Sequence, residues 1–362
     1  MMSSYYILLL LLQVAPSFSQ LPSNTSHICP LTYYGDSPLP PFPASQWLTI
    51  LTACLAPLVV HIAAGVPRPT IIGSKEEAQE KPPWSDLLPH FNPVSILWRY
   101  YAIADRRLRS RDWGKEEMAA TNALFWDGSH WDGSEAIMIR SRSFPSHLAD
   151  SSHVDLVSVS TLKTITMVIQ GAYFAYIISA QDDVADVSSF FAPLAIIGLF
   201  RLQSALWLSD EAVYLFFGSW EAPVTTTPFG TRISEALHST RSWRGVVFRS
   251  WWIVSALGLV AFDLYNCVGD WKTWTSPDRC LFASALVQRV FYTVFTLGIL
   301  GIHSFYVLRG RSCTTIIPCI HSRWYKVYTY LMIALAVVGI AIGCVETRLG
   351  WFDTVCQPLG QN

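Results

Sequence analysis

Six stretches of about twenty mostly apolar residues, at 46–66, 161–180, 187–208, 245–265, 282–308 and 324–344, leave this chain very few possible architectures. Each is long enough to cross a hydrocarbon core roughly 30 Å thick. Segments of this kind cross as helices, because a helix satisfies its own backbone N–H and C=O groups. The sequence therefore reads as an all-α polytopic membrane protein. It is expected to be a bundle of about six transmembrane helices after an N-terminal signal or anchor segment. A roughly 94-residue cytosolic segment, 67–160, separates the first two spans.

The connecting segments set an orientation. With the mature N-terminus in the lumen, segments 67–160, 209–244 and 309–323 together carry seventeen Lys and Arg. Segments 20–45, 181–186, 266–281 and 345–362 carry three. Cytosolic loops are the positive ones in membrane proteins. Residues 1–19 read as a signal peptide or signal anchor, with the apolar run Tyr5–Val14 followed by Ser17 and Ser19. The glycosylation sequence Asn24-Thr25-Ser26 then lies in the luminal segment 20–45. Cys29, Cys267, Cys280 and Cys356 also fall in luminal segments, where disulfides persist. A Cys267–Cys280 bridge would close one loop and leave Cys29 for Cys356, one of three possible pairings. The endoplasmic reticulum membrane is the expected location, with 345–362 as a luminal tail.

Charged residues make up 14% of the chain, well below the roughly 25% of a soluble domain. A net charge of −1 gives no reason to expect a nucleic-acid partner. The partner expected from composition is membrane lipid.

Within 67–160, Asn92-Pro93 predicts a helix start, with Asn as cap and Pro in the first position. Leu97, Tyr101, Ala104 and Leu108 recur at helical spacing, and Arg106, Arg107, Arg109 and Arg111 gather at the far end. This suits an interfacial amphipathic helix on the cytosolic leaflet, or a solvated basic helix in a small cap. Further along stands a micro-repeat: Trp126-Asp127-Gly128-Ser129-His130, then Trp131-Asp132-Gly133-Ser134-Glu135. Asp-Gly favours turns, so two tight turns pinned by tryptophans to the membrane surface are one reading. The other places Asp127, Asp132, Glu135 and His130 at the mouth of a pocket.

Ionisable groups inside apolar spans usually face a bundle interior or a cavity. Arg249 and Asp263 lie fourteen residues apart and share one helix face, with Trp252, Ala256 and Val260 close to it. Arg289, Thr296 and His303 form a second stripe, and Asp263 could pair with Arg289. His61, Arg201, Arg249 and His303 all fall in the cytosolic third and suggest a basic, aromatic-lined substrate cavity. The acids at its rim are Asp210 and Glu211, at the end of the third span, with Asp127, Asp132 and Glu135 beneath. Asp105, flanked by arginines, reads more simply as a salt-bridge partner.

Two motifs mislead. Asp182-Asp183-Val184-Ala185-Asp186 matches the metal-binding DDxxD pattern of class I terpene synthases, yet it sits in a tiny luminal loop with no companion motif. Ser242-Trp243-Arg244-Gly245 with Arg249-Ser250-Trp251 is similar to the signature of wax-synthase-like acyltransferases, but the required histidine is missing. No metal and no other cofactor is expected.

Cys29-Pro30 with Tyr33-Tyr34-Gly35-Asp36, Phe91-Asn92-Pro93 with Ile96-Leu97-Trp98-Arg99-Tyr100, and Asn122-Ala123-Leu124-Phe125-Trp126-Asp127 carry a resemblance along the chain. It resembles the fungal membrane-bound terpene cyclases of ascofuranone- and macrophorin-type meroterpenoid pathways. The resemblance implies cyclisation of a farnesyl-type chain on an aromatic head group, begun by protonating an epoxide or olefin. It brings no catalytic residues with it. Such chemistry needs a carboxylic acid kept protonated and aromatic faces for the cation. From the residues themselves, the candidate acids are Asp210, Glu211, Asp132, Asp127 and Glu135, and the candidate substrate-binding groups are Arg201, Arg249, His303 and His61. The alternatives are an acyltransferase using His303 and a non-catalytic transporter or scaffold.

Overall fold

The computed structural model describes residues 65–71, 81–141, 200–201, 203–204, 207–208, 235–274 and 283–349. Nearly all of the spans at 46–66 and 187–208, the whole of 161–180, and the DDxxD match lie outside them. So do His61, Asp210, Glu211, Asn24, Cys29, Cys280 and Cys356.

The described residues are mostly helical, in the order β1 (Pro69–Ile71), α1 (Trp84–Leu87), α2 (Pro93–Arg109), α3 (Lys115–Asn122), β2 (Leu124–Trp126), β3 (Trp131–Asp132), α4 (Glu135–Ser141), α5 (Trp243–Trp274), α6 (Ala283–Gly298), α7 (Ser304–Leu308) and α8 (Arg323–Leu349). A 3₁₀ turn, Leu88–Phe91, leads into α2, and a π-helical turn, Ile299–His303, joins α6 to α7.

Three helices are long and apolar enough to cross a membrane, over Trp243–Leu264, Leu286–Leu308 and Arg323–Ile342. They suggest an integral membrane protein, and they coincide with the last three apolar stretches of the sequence. Val254, Leu257, Val290, Leu297, Val327, Leu331 and Val338 on them are exposed, which suits a hydrocarbon surface rather than water. α5 runs nine residues past Tyr265 to Trp274 and carries Cys267 within it; no proline interrupts the chain before Pro277.

The helix starting at Asn92-Pro93 is present, and the Asn92 side chain accepts from Val94 N at 2.9 Å. Its setting differs from the interfacial or solvated helix that its charges suggested. Almost the whole of α2 is buried, including Arg99, Asp105, Arg106 and Arg109. It lies against the ends of the three long helices, where Asn92 Nδ2 donates to Thr329 Oγ1 and Ser95 pairs with Tyr325 Oη. Thr329 is six residues inside α8, about 9 Å along its axis. The arginines can be buried because each finds a carboxylate or carbonyl from another segment, which periodicity along one helix does not reveal.

A small sheet accompanies the helices, unforeseen in an all-α reading. β1 pairs parallel with β2, and β2 pairs antiparallel with β3 in the register Trp126↔Trp131. The two copies of the Trp-Asp-Gly-Ser repeat do different jobs. In the first, Asp127 Oδ1 accepts from Ser129 N and His130 N, and Gly128 at φ 98° closes the hairpin. In the second, Asp132 Oδ1 accepts from Ser134 N, and Ser134 Oγ accepts from Ile137 N at the start of α4. Both tryptophans are buried against each other at 4.8 Å, so they anchor the hairpin to protein rather than to a membrane surface.

α6 and α8 pack tightly at Gly298. A Cβ there would meet the Tyr328 ring, with Cζ at 3.0 Å. Tyr328 Oη donates to Val294 O at 3.2 Å. Gly298→Ala is expected to destabilise the protein by about 1–3 kcal/mol through overpacking, read as thermal unfolding in detergent. Adding Tyr328→Phe should recover part of the loss. An unchanged melting curve for Gly298→Ala would refute the close approach.

Candidate functional site

The polar end of the bundle is organised round Asp105, which is fully buried. Arg109, one turn along α2, donates from Nε to its Oδ2 at 2.8 Å. Arg249 donates from Nε to Oδ1 and from Nη2 to Oδ2, each at 3.1 Å. Arg109 also pairs with Glu135 and donates to His238 O, and Arg249 donates to Thr240 O. This node ties α2, α4, the 238–240 segment and α5 together. The salt-bridge reading of Asp105 holds, with partners four and 144 residues away rather than the neighbouring arginines.

Beside the node lies an aromatic cluster centred on Trp252. Its Nε1 donates to His303 Nδ1 at 3.0 Å, while Tyr101 and Phe200 approach its ring at 5.4 and 5.0 Å. Trp98 touches His303 edge-on at 5.2 Å. Arg249 stands one turn before Trp252, and Arg201, next to Phe200, is buried. Of the groups placed at one depth from sequence, His303 meets Trp252, Arg249 turns to Asp105 and Thr240, and Arg201 is buried. The face carrying Arg249, Trp252, Ala256, Val260 and Asp263 is buried throughout.

His303 is held at both ring nitrogens, since Nε2 reaches Val94 O at 3.1 Å. The π-helical turn turns the ring inward, and this arrangement leaves no nitrogen open to act as the base of an acyl transfer. Asp263 accepts from Thr293 and Thr296 hydroxyls at 3.1 and 3.4 Å, and the charge of Arg289, its partner expected from sequence, also acts on it.

The nominated acids divide. Glu135 is committed to Arg109. Asp127 is exposed in its turn; slight burial pushes its carboxyl up, but hydrogen bonds from His130 N and Ser129 outweigh this and hold it below the usual range. Asp132 is half-buried and makes no ion pair among the described residues, and strand alternation puts it on the face opposite Trp131. Asp210 and Glu211 come two and three positions after Leu208, a buried core residue. The preceding Trp207 accepts through its carbonyl from Asn122 Nδ2 at 2.7 Å.

Two groups that sequence reasoning did not select, His90 and Arg99, line a narrow cleft with Gly65–Pro67, Ser95, Leu124, Thr315–Ile317 and Ile320. Its free space is about that of one water molecule. Arg99 donates to Asn122 O, and its Nε and Nη1 have no partner among the described residues; nor has His90 Nε2. Burial and the neighbouring Arg106 charge pull the Arg99 guanidinium down to about 10, with Tyr100 acting the other way. Burial, then Arg99 and His321, hold His90 neutral, down at about 3. Burial pushes the Tyr100 hydroxyl up to about 12, against the pull of Arg201 and Arg99. The available signal was a lone arginine inside the aromatic run Trp98-Arg99-Tyr100-Tyr101.

No protein-family model, curated protein or solved structure matches this chain. Among the described residues, no three His, Cys, Asp or Glu side chains are grouped to hold a metal ion.

Proposed function

We propose that this protein is a membrane-bound terpene cyclase of fungal secondary metabolism. It cyclises the farnesyl-type chain of a prenylated aromatic intermediate by protonating an epoxide or olefin, without a metal. One observation supports this reading above the others: a buried layer at one end of three membrane-length helices, where aromatic faces stand beside more cations than carboxylates. Arg99, Arg106, Arg109 and Arg249 are buried there, and Asp105 and Glu135 are the carboxylates that pair with them among the described residues. Such a layer suits an acidic phenol or carboxylate head group, and the aromatic rings suit a carbocation. The tail would enter from the bilayer.

The initiating acid we favour is Asp210, with Glu211 next and Asp132 after them. Asp210 comes three residues after Trp207, whose carbonyl is bound by the same Asn122 that accepts from Arg99. The finer topology belongs to the proposal too: six spans, the arginine-rich end cytosolic, and residence in the endoplasmic reticulum. Other enzymes of the pathway would supply the prenylated substrate.

Microsomes containing the protein, incubated with epoxidised and unepoxidised farnesyl-aromatic compounds, should form a cyclic isomer of one of them in the presence of EDTA. Unchanged substrate in both cases, from well-expressed protein, rejects the reading. A strict Mg²⁺ requirement rejects its metal-free form.

A further inference from the structure

We propose that the cleft between α2, the 65–67 segment and the 315–320 loop is an oxyanion site, holding the carboxylate or phenolate of an otherwise apolar ligand through Arg99 and His90. This rests on the cyclase reading for the identity of the ligand's body, but not for the site itself.

Three observations carry it. Arg99 and His90 are 5% and 7% exposed, yet two guanidinium nitrogens of one and Nε2 of the other lack partners among the described residues. No described carboxylate pairs with Arg99, whose one hydrogen-bond acceptor is the neutral Asn122 carbonyl. A buried charge without a counter-charge is costly, and an arginine that bonds only a carbonyl keeps donors for an anion. The remaining walls are mostly apolar, with Val66, Leu124, Ile316, Ile317 and Ile320, and the Ser95 and Thr315 hydroxyls there are already bonded to Tyr325 and to Gly133 O.

Neutral His90 adds an N–H donor without adding charge. Its ring packs edge-on against Trp131 at 4.5 Å, which fixes its plane and places a fluorophore beside the site. Ile320 lies just before the start of α8, so the cleft adjoins the membrane-length helices rather than open solvent. The space in the cleft suits one water-sized group, and the oxyanion of the ligand is the group that occupies it.

The test is binding to the full chain in nanodiscs, read by tryptophan fluorescence and thermal unfolding. The probes are a farnesylated aromatic carboxylic acid, its methyl ester, and a fatty acid of similar length. The acid should bind at least roughly tenfold more tightly than the ester, as hydrogen bonds to a charged group require. Arg99→Gln should erase that preference and His90→Gln should reduce it. A fatty acid binding as well as the aromatic acid supports the oxyanion site and assigns it to a lipid carboxylate; weaker fatty-acid binding supports an aromatic head group. Equal binding of acid and ester by the unmodified protein overturns the proposal and leaves an ordered water as the occupant. So does an acid preference undiminished in a folded Arg99→Gln, or in His90→Gln should the arginine variant not accumulate. Product analysis on the same samples separates the two readings. Acid-selective binding without cyclisation keeps the site and rejects the cyclase, and cyclisation without acid selectivity does the reverse.

Discussion

Asp105→Asn is expected to cost about 3–5 kcal/mol of stability, the range for removing one partner of a buried ion pair. The carboxylate is fully buried and takes hydrogen bonds from both Arg109 and Arg249. An amide keeps the shape but turns an N–H₂ group toward a guanidinium and leaves two cations with too little negative charge. The measurement is thermal unfolding of detergent-solubilised protein, with fluorescence size exclusion to track how much folded protein accumulates. Arg249→Met should restore part of the loss when added to Asp105→Asn, because it removes one of the stranded cations. Contacting groups of this kind are non-additive. An Asp105→Asn protein that unfolds like the parent would show that the node is not what joins α2 to α5.

Amide substitution of the initiating acid is expected to lower turnover by roughly 10²–10⁴-fold, the usual contribution of a general acid. Asp210→Asn, Glu211→Gln and Asp132→Asn form the test series, assayed on the compound the wild type cyclises. Asp132→Asn is a clean probe, because asparagine supplies the same side-chain oxygen to Ser134 N and preserves the turn into α4. Asp127→Asn is the matched control: it keeps the acceptor for Ser129 N and His130 N in an exposed hairpin turn and should leave turnover unchanged. Full activity in all three test variants, at normal expression, would sink protonation by these acids. Asp263, buried and bonded by Thr293 and Thr296, would then be the next carboxyl to replace.

Helix positions were legible where the signal is local. Asn92-Pro93 announced its own helix, because a cap and a first-turn proline act within three residues. The buried face of α5 could be read from Arg249 to Asp263, because 100° per residue returns positions fourteen apart to one side. The Trp-Asp-Gly-Ser repeat was legible as turns but not as two different turns. Hairpin closure and helix capping use the same short-range hydrogen bonds, and the segment C-terminal to each turn, strand or helix, decides between them.

The site was less legible. Arg249, Arg201 and His303 were placed at one depth from sequence; His303 meets Trp252, while Arg249 is held by Asp105. Their roles were not readable, since His303 is satisfied by Val94 and Trp252, residues 209 and 51 positions away. Arg99 and His90 escaped notice because unpaired donors can be recognised only when every neighbour is known.

Sequence by itself determined that the chain carries membrane-length apolar helices, where three of them lie, and which face is polar on two of these. Those properties derive from length, hydropathy and helical period, all of them local. Tertiary structure alone decided that α2 is a buried element between helix ends rather than a surface one, and that Asp105 closes a node across 144 residues. It also decided which buried donors have partners. Burial of charge depends on counter-charges that arrive from distant segments, and no periodicity along one segment records them.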